Sequence, residues 1–551
     1  MSEEANVMQG KTAIANILKM EGVEHIICFP RNPLIDAATE VGIRPILTRT
    51  ERVMGNIADG MSRVSSGRRI GVCAMQNGPG SENAFSGVAQ AHSDATPILL
   101  LPEALDRRRL GVPPNFQAIY NYQAVTKWVE VVNFADRIPQ MMRRAFTLLR
   151  SGKPGPVMLE VPTDVMVEDI GGEEVQYTPV KGSRPMGDPQ DVREAIKALL
   201  AARAPVIMAG QGILYAEACD ELREFTELLQ VPVFTTLNGK SAFPEDHSLA
   251  LGTGGRSWPR MLAHFLRKAD LVFGVGTSFT RSPYIVPIPP GKMMVQVTID
   301  EQDINKDYPI SYGVVGDVRT VLRQLIEEAR RQAGPDGRKG QSRVATEIKA
   351  IKEEFLKEWM PRLTSDEAPI SPYRLIWDLM HTVDRRRTIV THDAGNPRDQ
   401  ILPFYETAIP HGYIGWGKST QLGTGLGLVM GAKLAAPDKL VINLMGDAAF
   451  GMVGMDFETA VRSKIPILTI LLNNGLMGGY DKHLPVSTAR YGTRFLSGDY
   501  SKVAEGLGGY TERVEKPGDV VPALKRAIAE VEAGRPTLLE VVTREEPVYP
   551  T

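Results

Sequence analysis

The sequence predicts an α/β protein built from three doubly wound domains, each with a parallel sheet. Short apolar runs typical of buried strands alternate with helical patterns along most of the chain. Two polar stretches rich in proline and glycine, at 171–189 and 334–343, interrupt this alternation. The 551-residue chain is too long for one hydrophobic core, because single cores stop growing near roughly 250 residues. We therefore expect a first domain (1–170), a linker (171–189), a central domain (190–333), a second linker (334–365) and a last domain (366–551).

Each domain is predicted from its own set of apolar runs. In the first domain, helical periodicity occurs at 12–21, 51–63 and 138–151, and strand-like runs occur at 43–47, 70–75, 98–101 and 157–161. The central domain opens with a helix that Asp188 and Pro189 start, and its predicted strands are 205–209, 231–236, 271–276 and 293–298. The last domain has predicted strands at 388–391, 440–444, 465–472 and 537–542.

Two glycine-rich segments raise the alternative of a dinucleotide-binding protein. They are Gly274-Val275-Gly276 and Gly423-Thr424-Gly425-Leu426-Gly427. Neither has the full order Gly-x-Gly-x-x-Gly between a strand and a helix with an acidic residue downstream. Close packing of a helix on a sheet explains these glycines equally well. The sequence therefore favours a packing role over a nicotinamide site.

Composition and charge exclude several classes of protein. Hydrophobic residues make up 43% and charged residues 23% of the chain, as in a globular enzyme. With 63 basic and 65 acidic residues, there is no bulk charge to recruit nucleic acid or an anionic membrane. The opening segment is acidic and lacks a long apolar core, so we expect neither a secretory signal nor a membrane span, and a cytoplasmic location. The three widely spaced cysteines argue against a disulfide framework or a zinc site.

A predicted strand-helix-strand unit in the last domain is suited to bind a metal. Asp447 follows the apolar run 440–445, a helical pattern covers 455–462, and Asn474 follows the next strand. Because parallel strands end at the same edge of a sheet, Asp447 and Asn474 can converge there. A carboxylate and an amide oxygen suit Mg²⁺, which is commonly completed by phosphate oxygens and water. The unit therefore predicts a phosphorylated cofactor held through Mg²⁺.

This unit resembles the signature of thiamine diphosphate enzymes, a Gly-Asp pair followed after a helix and a strand by Asn-Asn. The resemblance implies that Asp447, Asn474 and the carbonyl of Leu476 bind Mg²⁺. It also implies that the cofactor lies against Gly446, Ala448, Ala449, Asn474, Leu476 and Met477. Ala448 departs from the family, which most commonly has glycine there, but a small side chain still lets backbone N–H groups approach phosphates. Taken alone, the segment is also compatible with an ordinary strand end, a capping aspartate and a turn.

Glu51 is the candidate for the acid that activates the cofactor. It lies in Arg49-Thr50-Glu51-Arg52, which is similar to the family's Arg-His-Glu-Gln stretch and is followed, as in the family, by Ala-Asp-Gly. The resemblance implies that the Glu51 carboxyl hydrogen-bonds the pyrimidine ring, where burial should raise its pKa. Thr50 and Arg52 replace the family's frequent histidine and glutamine, so a proton transfer by that histidine does not carry over. The alternative is an exposed first-turn glutamate favoured by the helix dipole.

Further matches to family motifs imply other residues that contact the cofactor. Asn77-Gly78-Pro79-Gly80, with Asn83 further on, resembles the family's Ser-Gly-Pro-Gly-x-x-Asn turn beside the pyrimidine. Gln117 matches a glutamine or glutamate in a loop that faces the cofactor, and Leu422 matches a large apolar residue that holds the cofactor bent. The matches run in family order, which implies a pyrimidine-binding domain, a central domain and a diphosphate-binding domain. The family pairs the first domain of one subunit with the last domain of another, which implies a homodimer as the minimal active unit and a homotetramer as a dimer of dimers.

The matches divide between two branches of the family. One set, beside the cofactor, is similar to oxalyl-CoA decarboxylase and 2-hydroxyacyl-CoA lyase: Phe450-Gly451, Gly454-Met455, Glu458-Thr459, Ala489-Arg490-Tyr491 and 534–537. The other set looks like acetolactate synthase: Phe116-Gln117, Lys127 and 239–247. Because the substrate must also lie beside the cofactor, the sequence favours a lyase or decarboxylase acting next to a carbonyl, on a 2-hydroxyacyl-CoA or related acyl-CoA. An acetolactate synthase-type carboligase that uses pyruvate and an FAD-bearing oxidase relative are the alternatives.

Three loop residues are candidates to face the substrate, and the central domain is a candidate for a second ligand. Asn32 occupies a family position that faces the substrate, and Tyr480 and His483 follow the metal loop. Solvated loop residues are the alternative for all three. An FAD-bearing relative would carry its flavin on the central domain, where ADP is the other candidate. A non-catalytic member would lack the activating acid, so Glu51 argues against that class.

Overall fold

The structure, a computed structural model, describes residues 8–171, 174–338 and 343–551. Three six-stranded sheets follow one another along the chain, and the strands paired within them in the described residues are parallel. The predicted α/β class and the three doubly wound domains are therefore confirmed. Residues 1–7 of the predicted first domain, and residues 172–173 and 339–342 of the two predicted linkers, lie outside the described residues.

The first sheet has the strand order β2-β1-β3-β4-β6-β5. The elements of this domain are α1 Gly10–Met20, β1 His25–Cys28, α2 Leu34–Glu40, β2 Arg44–Leu47, α3 Glu51–Val64, β3 Gly71–Met75, α4 Pro79–Ser93, β4 Ile98–Ala104, α5 Ala118–Asn121, β5 Trp128–Val131, α6 Ile138–Arg150, β6 Val157–Pro162 and α7 Thr163–Val167.

The central sheet has the strand order β12-β11-β10-β7-β8-β9. Its helix α8 starts where predicted, with Asp188 accepting the N–H of Gln190 at 2.7 Å and Pro189 in the first turn. The elements are α8 Pro189–Ala201, β7 Pro205–Ala209, α9 Gly212–Ala216, α10 Cys219–Leu229, β8 Val233–Thr236, β9 Ala250–Gly254, α11 Arg260–Lys268, β10 Leu271–Val275, β11 Met293–Thr298, β12 Tyr312–Val315 and α12 Val318–Ala333.

The last sheet has the strand order β14-β13-β15-β16-β18-β17 and is preceded by the long helix α13. The elements are α13 Val344–Leu363, α14 Pro372–Thr382, β13 Thr388–His392, α15 Asn396–Ile401, β14 Tyr413–Ile414, α16 Thr424–Ala435, β15 Leu440–Gly446, α17 Asp447–Val453, α18 Phe457–Arg462, β16 Leu468–Asn473, α19 Tyr480–His483, α20 Pro485–Tyr491, α21 Tyr500–Gly506, β17 Tyr510–Val514, α22 Val520–Glu532 and β18 Thr537–Val542.

The sheets are buried on both faces, which explains why their strands are continuous apolar runs. In β3, Val72 and Ala74 point into one apolar cluster, whereas Cys73 and Met75 point into another. The six strands that the sequence did not predict are β1, β5, β9, β12, β14 and β17. Five of them lie at sheet edges, and all have five residues or fewer. Such short segments carry too little apolar pattern to be recognised from sequence.

The second predicted linker is not irregular throughout. Residues 344–363 form α13, a helix of 20 residues. Ile348, Phe355, Trp359 and Leu363 of this helix are buried in the cluster shared by the central and last domains. Their helical spacing gives α13 an apolar face that contacts both domains. The expected linker over 334–365 therefore contains a packed element.

Helices α3 and α16 join the first domain to the last through a close helix-helix contact. A Cβ atom added at Gly60 would lie 2.4 Å from the carbonyl oxygen of Leu428, and one at Gly427 would lie 2.4 Å from Asn56 Cβ. Because only glycine permits this approach, the glycine-rich stretch before and within α16 serves packing. The packing role is thus correct: Gly427 packs against helix α3, and Gly425 packs against the last sheet, where an added Cβ would lie 2.4 Å from Asn443 Oδ1. This contact lies within one chain and involves the helix that begins at Glu51.

Within the described residues, no helix is long and apolar enough to cross a membrane. Cys28, Cys73 and Cys219 are free thiols. Cys28 and Cys73 are buried, and burial raises the pKa of the Cys28 thiol to about 12.

Candidate cofactor and active site

The predicted metal ligands lie together at the carboxyl edge of the last sheet. Strands β15 and β16 are neighbours, with Gly446 opposite Leu472. Asp447 follows β15 as the first residue of α17, and the N–H of Gly475, in the turn after β16, donates to its Oδ2 at 2.8 Å. Asn474 directs its Oδ1 to the N–H of Leu476 at 3.1 Å. Asp447 and the Asn474 turn are therefore brought together by the register of two parallel strands, as predicted.

The oxygen donors of this turn fit Mg²⁺. Asp447 is buried, and burial raises the pKa of its carboxyl, while N–H groups of Ala448 and Gly475 oppose that rise. No Lys or Arg side chain in the described part of the chain forms an ion pair with Asp447. Clusters of three or more His, Cys, Asp or Glu able to hold a metal are absent from the described residues. One carboxylate, one amide oxygen and a backbone carbonyl form a hard-oxygen set of the kind that Mg²⁺ prefers.

The backbone around Asp447 differs in detail from the sequence expectation. The N–H of Ala448 donates to Asp447 Oδ1 at 2.8 Å, and the N–H of Met477 donates to the carbonyl of Arg494 at 2.8 Å. Both groups have protein partners, so neither is directed at a phosphate in this structure. Ala449 is buried in the apolar cluster of the first and last domains. A Cβ atom at Gly446 would meet only Pro397 Cγ, at 3.9 Å, so this glycine is not needed for space.

Glu51 is the first residue of α3 and is 5% exposed. Burial raises the pKa of its carboxyl, and a hydrogen bond with the Asn83 side chain opposes that rise. A Cβ atom at Gly80 would lie 3.5 Å from Glu51 Oε1, so the carboxyl faces the turn that begins α4. The alternative of an exposed first-turn glutamate is therefore wrong. A buried carboxyl with a raised pKa can hold a proton near neutral pH.

The turn before α4 has the backbone shape that its sequence indicates. Gly78 precedes the helix with φ 65°, which favours glycine, and Pro79 occupies the first turn. The N–H of Asn77 donates to the buried Glu103 carboxyl. Asn77 and Gln117 also line one cavity of about 220 Å³. These predicted cofactor contacts are therefore adjacent to one another in the first domain.

Glu160 lies inside β6 and lines the same cavity, and sequence analysis did not identify it. It is 4% exposed. Burial raises the pKa of its carboxyl to about 7, although N–H groups of Ile119 and Ala118 oppose the shift. The only sequence signal is a glutamate inside an apolar strand. Strand periodicity alone does not tell whether such a glutamate is buried or exposed to solvent.

Leu422 lies beside α3, at the turn into α16. Its backbone carbonyl accepts a hydrogen bond from the Arg52 guanidinium, and its side chain packs against the cluster of the first and last domains. Asp393 is fully buried and accepts the N–H groups of Gly423 at 2.8 Å and Gly425 at 2.9 Å. Burial raises the pKa of Asp393 to about 6. The residue expected to hold the cofactor bent is therefore next to the helix that carries Glu51.

Asp456 connects the Glu51 loop to the metal-binding segment, and sequence analysis did not single it out. It is fully buried in the turn between α17 and α18. Its Oδ1 accepts the N–H of Arg49 at 2.7 Å, and its Oδ2 accepts the Thr50 hydroxyl at 2.9 Å. The sequence showed only an aspartate near the start of a predicted helix. Its partners are about 400 residues away in the chain, so no local pattern reveals them.

Three candidate substrate contacts are not placed as expected. The Asn32 amide donates to the carbonyls of Met75 and Leu101 at 3.1 and 3.0 Å and accepts the N–H of Leu34. Asn32 therefore ties strand ends together, which corrects the prediction that it faces a substrate. Tyr480 is 41% exposed and His483 is also exposed, with their rings 6.0 Å apart. These two have the solvated position that was the alternative for them.

A second and larger cavity lies between the first and central domains. Its volume is about 440 Å³. It sits at the carboxyl ends of β7 and β10, where the strand order of the central sheet reverses direction. Backbone turns and cations line it, including Gly210, Gly212, Gly276, Lys153, Lys181 and Lys418. Crevices at this position of a doubly wound sheet are common ligand sites.

Residues that matched the acetolactate synthase branch have structural partners. Lys127 donates to the carbonyls of Leu148 and Ser151 at the end of α6. Lys240 is fully buried and pairs with Glu245 at 2.6 Å. In the other branch's set, Glu458 pairs with Arg49 and Arg462. These residues stabilise the fold, so they do not by themselves choose the substrate.

Three family models match successive parts of the chain. They are the thiamine pyrophosphate enzyme N-terminal TPP binding domain at 8–125, the central domain at 192–325 and the C-terminal TPP binding domain at 393–541. Among similar proteins, a probable acetolactate synthase large subunit of Methanocaldococcus jannaschii is 30% identical, over 97% of this chain and 92% of its own length. A glyoxylate carboligase of Escherichia coli O157:H7 is 28% identical over 97% and 93% of the two chains. Acetolactate synthase isozyme 3 large subunit of Escherichia coli K12 is 26% identical over 99% and 96%.

Proposed function

Since the chain belongs to the thiamine pyrophosphate enzyme family, we propose that it is an Mg²⁺-dependent carboligase acting on small 2-oxo acids. In the proposed reaction one 2-oxo acid loses CO₂, and the remaining acyl unit forms a carbon-carbon bond to the carbonyl of a second molecule. The observation that carries the proposal is the near full-length similarity to acetolactate synthases and a glyoxylate carboligase. The oxygen donors beside Asp447 and the buried Glu51 carboxyl support the cofactor and metal requirement of the proposal.

The residues of the last domain are suited to hold the diphosphate end of the cofactor. Asp447, Asn474 and the Leu476 carbonyl would bind Mg²⁺, which in turn would bind phosphate oxygens. When bound, thiamine diphosphate supplies a nucleophilic carbon that adds to a carbonyl and an electron sink for the charge left by CO₂. Because no cation of the described residues pairs with Asp447, its charge is available to the metal.

The residues of the first domain are suited to hold the other end. The Glu51 carboxyl would keep a proton at its Oε atoms and donate it in a hydrogen bond to the pyrimidine ring. Asn83 hydrogen-bonds that carboxyl, which is 5% exposed and faces the turn at Gly80. Leu422 would support the cofactor from the side of α16. These roles require Glu51 to be neutral, which its burial favours.

Carboligation replaces the acyl-CoA reaction that the sequence favoured. The relatives named above carry acetolactate synthase and glyoxylate carboligase names, with no acyl-CoA among them. Three arginines near the last domain also have carboxylate partners: Arg398 and Arg256 with Asp399, and Arg260 with Glu358. Arg256 and Arg260 are partly exposed surface charges, so they do not by themselves indicate a site for the phosphates of CoA.

The central cavity is proposed to bind FAD or ADP. Its position at the switch point of the central sheet, its glycine turns and its cations suit a nucleotide diphosphate. A yellow purified protein whose colour remains after desalting would favour FAD. Release of ADP on denaturation of a colourless protein would favour ADP. Release of neither ligand, with no binding of either by calorimetry, would overturn this assignment.

A homodimer, and a homotetramer as a dimer of dimers, is proposed as the working assembly. Large apolar side chains are exposed around α20, including Val486 at 63%, Tyr491 at 81% and Phe495 at 63%. Exposed apolar patches of this kind commonly mark interfaces between subunits. Helix α3 contacts α16 within one chain, and the proposed dimer would in addition place the first domain of each subunit against the last domain of its partner. Sedimentation of the loaded protein would measure the mass, and a monomer at micromolar concentration would contradict the proposal.

One substrate panel tests the proposed reaction. The protein would be incubated with thiamine diphosphate, Mg²⁺ and, separately, pyruvate, glyoxylate, oxalyl-CoA and a 2-hydroxyacyl-CoA, with products identified by mass. We expect CO₂ and a joined product from a 2-oxo acid, and none when Mg²⁺ is removed with a chelator. Turnover of an acyl-CoA with no turnover of either 2-oxo acid would overturn the carboligase proposal. Omission of thiamine diphosphate is the matched control.

A further inference from the structure

A buried glutamate of the first sheet holds the segment that carries Gln117. Glu160 lies inside β6 and is 4% exposed. The N–H groups of Ala118 and Ile119 donate to its carboxyl. These are the first two residues of α5, whose N-cap residue is Gln117. The first N–H groups of a helix have no partner within it, and the Gln117 side chain does not cap them, so a strand distant in sequence supplies the cap.

The side chain of Gln117 is left available to a ligand. Its backbone carbonyl accepts the Asn121 side-chain amide at 2.9 Å, which holds the main chain on the other side of the residue. Within the part of the chain that the structure describes, the side-chain amide of Gln117 has no hydrogen-bond partner. The side chain is half-buried and lines the cavity of about 220 Å³ that Asn77 and Glu160 also line. A fixed main chain with an unpaired amide is suited to contact a molecule bound in that cavity.

The other end of α5 is tied to the turn that Glu51 faces. Tyr122, the C-cap residue, is fully buried, and its hydroxyl donates to the carbonyl of Ser81 in the first turn of α4. Gly80, the residue before Ser81, is the position where an added Cβ would lie 3.5 Å from Glu51 Oε1. Glu160 and Tyr122 therefore hold α5 at both ends relative to the start of α4.

A second glutamate of the same sheet makes an equivalent contact. Glu103 lies in β4, the strand next to β6, with Val161 opposite it. It is buried, and the N–H of Asn77 donates to its carboxyl. Among the described residues, no Lys or Arg side chain forms an ion pair with Glu160, so backbone N–H groups satisfy its carboxyl. An apolar side chain would occupy such a strand position at lower cost, because a buried carboxyl needs hydrogen-bond donors. Two adjacent strands thus each hold one cofactor-facing loop through a buried carboxyl.

We propose that Glu160 is a positioning residue that holds the Gln117 side chain toward the cofactor, an inference that rests on the proposed function. Glu51 and Gln117 belong to the same first domain, so the contacts of α5 set the separation between them. In the proposed dimer, the last domain of the partner subunit would bring Mg²⁺ and the diphosphate to this surface. Gln117 would then contact the cofactor productively only if α5 keeps its place. A displacement of about 1 Å at such a contact can cost on the order of a hundredfold in rate.

Four variants and a control test this role. Glu160→Met removes both acceptor oxygens and keeps most of the side-chain length, whereas Glu160→Gln keeps one acceptor oxygen. Gln117→Ala removes the amide that Glu160 is proposed to position, and the double variant combines it with Glu160→Met. Glu130→Gln is the matched control, because Glu130 lies on the neighbouring strand β5 and its carboxyl accepts the N–H of the adjacent Val131.

Hydrogen exchange in the protein without cofactor measures the contact itself. In Glu160→Met, exchange should accelerate at the amides of Ala118 and Ile119, because their acceptor is lost. The affinity for thiamine diphosphate with Mg²⁺ should stay near the wild-type value, because Glu51 and the metal ligands are unchanged. Glu130→Gln should match wild type in both measurements.

The kinetics of 2-oxo acid turnover measure the consequence. For Glu160→Met we expect kcat to fall by roughly tenfold to a hundredfold with little change in KM. Glu160→Gln should recover part of that loss. The double variant should be no slower than Gln117→Ala alone, because the effects of residues that act through one another do not add. Glu130→Gln should keep wild-type kcat and KM.

Three results would overturn the positioning role. They are unchanged exchange at Ala118 and Ile119 in Glu160→Met, wild-type kcat in that variant, and losses of Glu160→Met and Gln117→Ala that add in the double variant. If Glu160→Met fails to fold, Glu160→Gln takes its place in the same comparison and decides between these results. A wild-type protein that binds no thiamine diphosphate, although exchange in α5 responds as expected, would instead overturn the proposed function, and with it the role of Gln117.

Discussion

The guanidinium of Arg52, the residue after Glu51, donates a hydrogen bond to the backbone carbonyl of Leu422. The chain turns at Gly423, with φ 89°, and enters α16. Asp393 accepts N–H groups of that same turn from within the last domain. The turn is therefore held by a cation from one domain and an anion from the other. This joint fixes the start of α3 against the turn into α16 within one chain.

Removal of the Arg52 contact should loosen this joint. In Arg52→Gln the shorter side chain loses the Leu422 carbonyl, and we expect a loss of about 1–3 kcal/mol in the free energy of unfolding, typical of a charged hydrogen bond. Urea denaturation would measure it. Arg49→Gln is the control on the same loop, since Arg49 is 50% exposed and its pair with Glu458 should contribute under about 1 kcal/mol. Equal effects of the two substitutions would show that the Leu422 contact is not special.

Glu51→Gln should retain the cofactor and lose most turnover. The amide keeps the size of the side chain but cannot donate an acid proton, so we expect kcat to fall by about 10²–10⁴-fold. Equilibrium dialysis would check that thiamine diphosphate still binds. Glu82→Gln is the matched control, because Glu82 is an exposed first-turn glutamate of α4. Full activity in Glu51→Gln would remove Glu51 from its proposed role.

Asp447→Ala should lose Mg²⁺ and thiamine diphosphate together. Without its carboxylate the site keeps only neutral oxygen donors, which hold a divalent cation weakly. In wild type, saturating cofactor should raise Tm, since a ligand that binds only the folded state stabilises it by about 2.7 kcal/mol at a hundred times its Kd. The variant should show no such rise. Asp438→Asn, on the exposed turn before β15, should behave as wild type, and a cofactor-dependent Tm rise in Asp447→Ala would contradict the ligand set.

Gly60→Ala should destabilise the chain through the α3–α16 contact. The new methyl group would lie 2.4 Å from the Leu428 carbonyl oxygen, so the helices must separate, at a cost of about 1–3 kcal/mol. Thermal and urea unfolding would measure the loss. At Gly451, in α17, an added Cβ meets nothing within 4 Å, so Gly451→Ala should be neutral or stabilising by up to about 1 kcal/mol. Stability gained in Gly60→Ala would show that the contact is looser than described.

Glu160 should make stability depend on pH near neutrality. Its folded-state pKa is raised to about 7, above the unfolded value, so the folded state retains a proton that the unfolded state has lost. The associated stabilisation is fully present below the unfolded pKa and is lost as pH rises through about 7. We expect the free energy of unfolding of wild type, relative to Glu160→Gln, to fall between pH 5 and 8 by on the order of 2 kcal/mol. A difference that stays constant over that range would show that Glu160 titrates normally.

Sequence analysis predicted the elements whose patterns are local. Long apolar runs and helical periodicity identified most internal strands, and strand ends at Asp447 and Asn474 had to meet because neighbouring parallel strands share an edge. Glu51 was recognisable because a strand, a turn and a helix surround it in a motif. Short edge strands such as β14 and β17 were not predicted. Such strands have few residues and pair with a neighbour on one side only, so their sequences show little apolar pattern. The acyl-CoA substrate was favoured from residues that have structural partners, such as Glu458.

The amino-acid sequence by itself determined the three parallel-sheet domains and the oxygen donors for Mg²⁺, because both follow from local periodicity and from the geometry of consecutive strands. Only the tertiary structure decided which distant groups meet. In the folded chain the Asn32 amide donates to a backbone carbonyl, and the Thr50 hydroxyl donates to Asp456. The Arg52 guanidinium donates to the Leu422 carbonyl. Hydrogen-bond partners hundreds of residues apart are selected by the packing of whole helices and sheets, and no single segment encodes that packing.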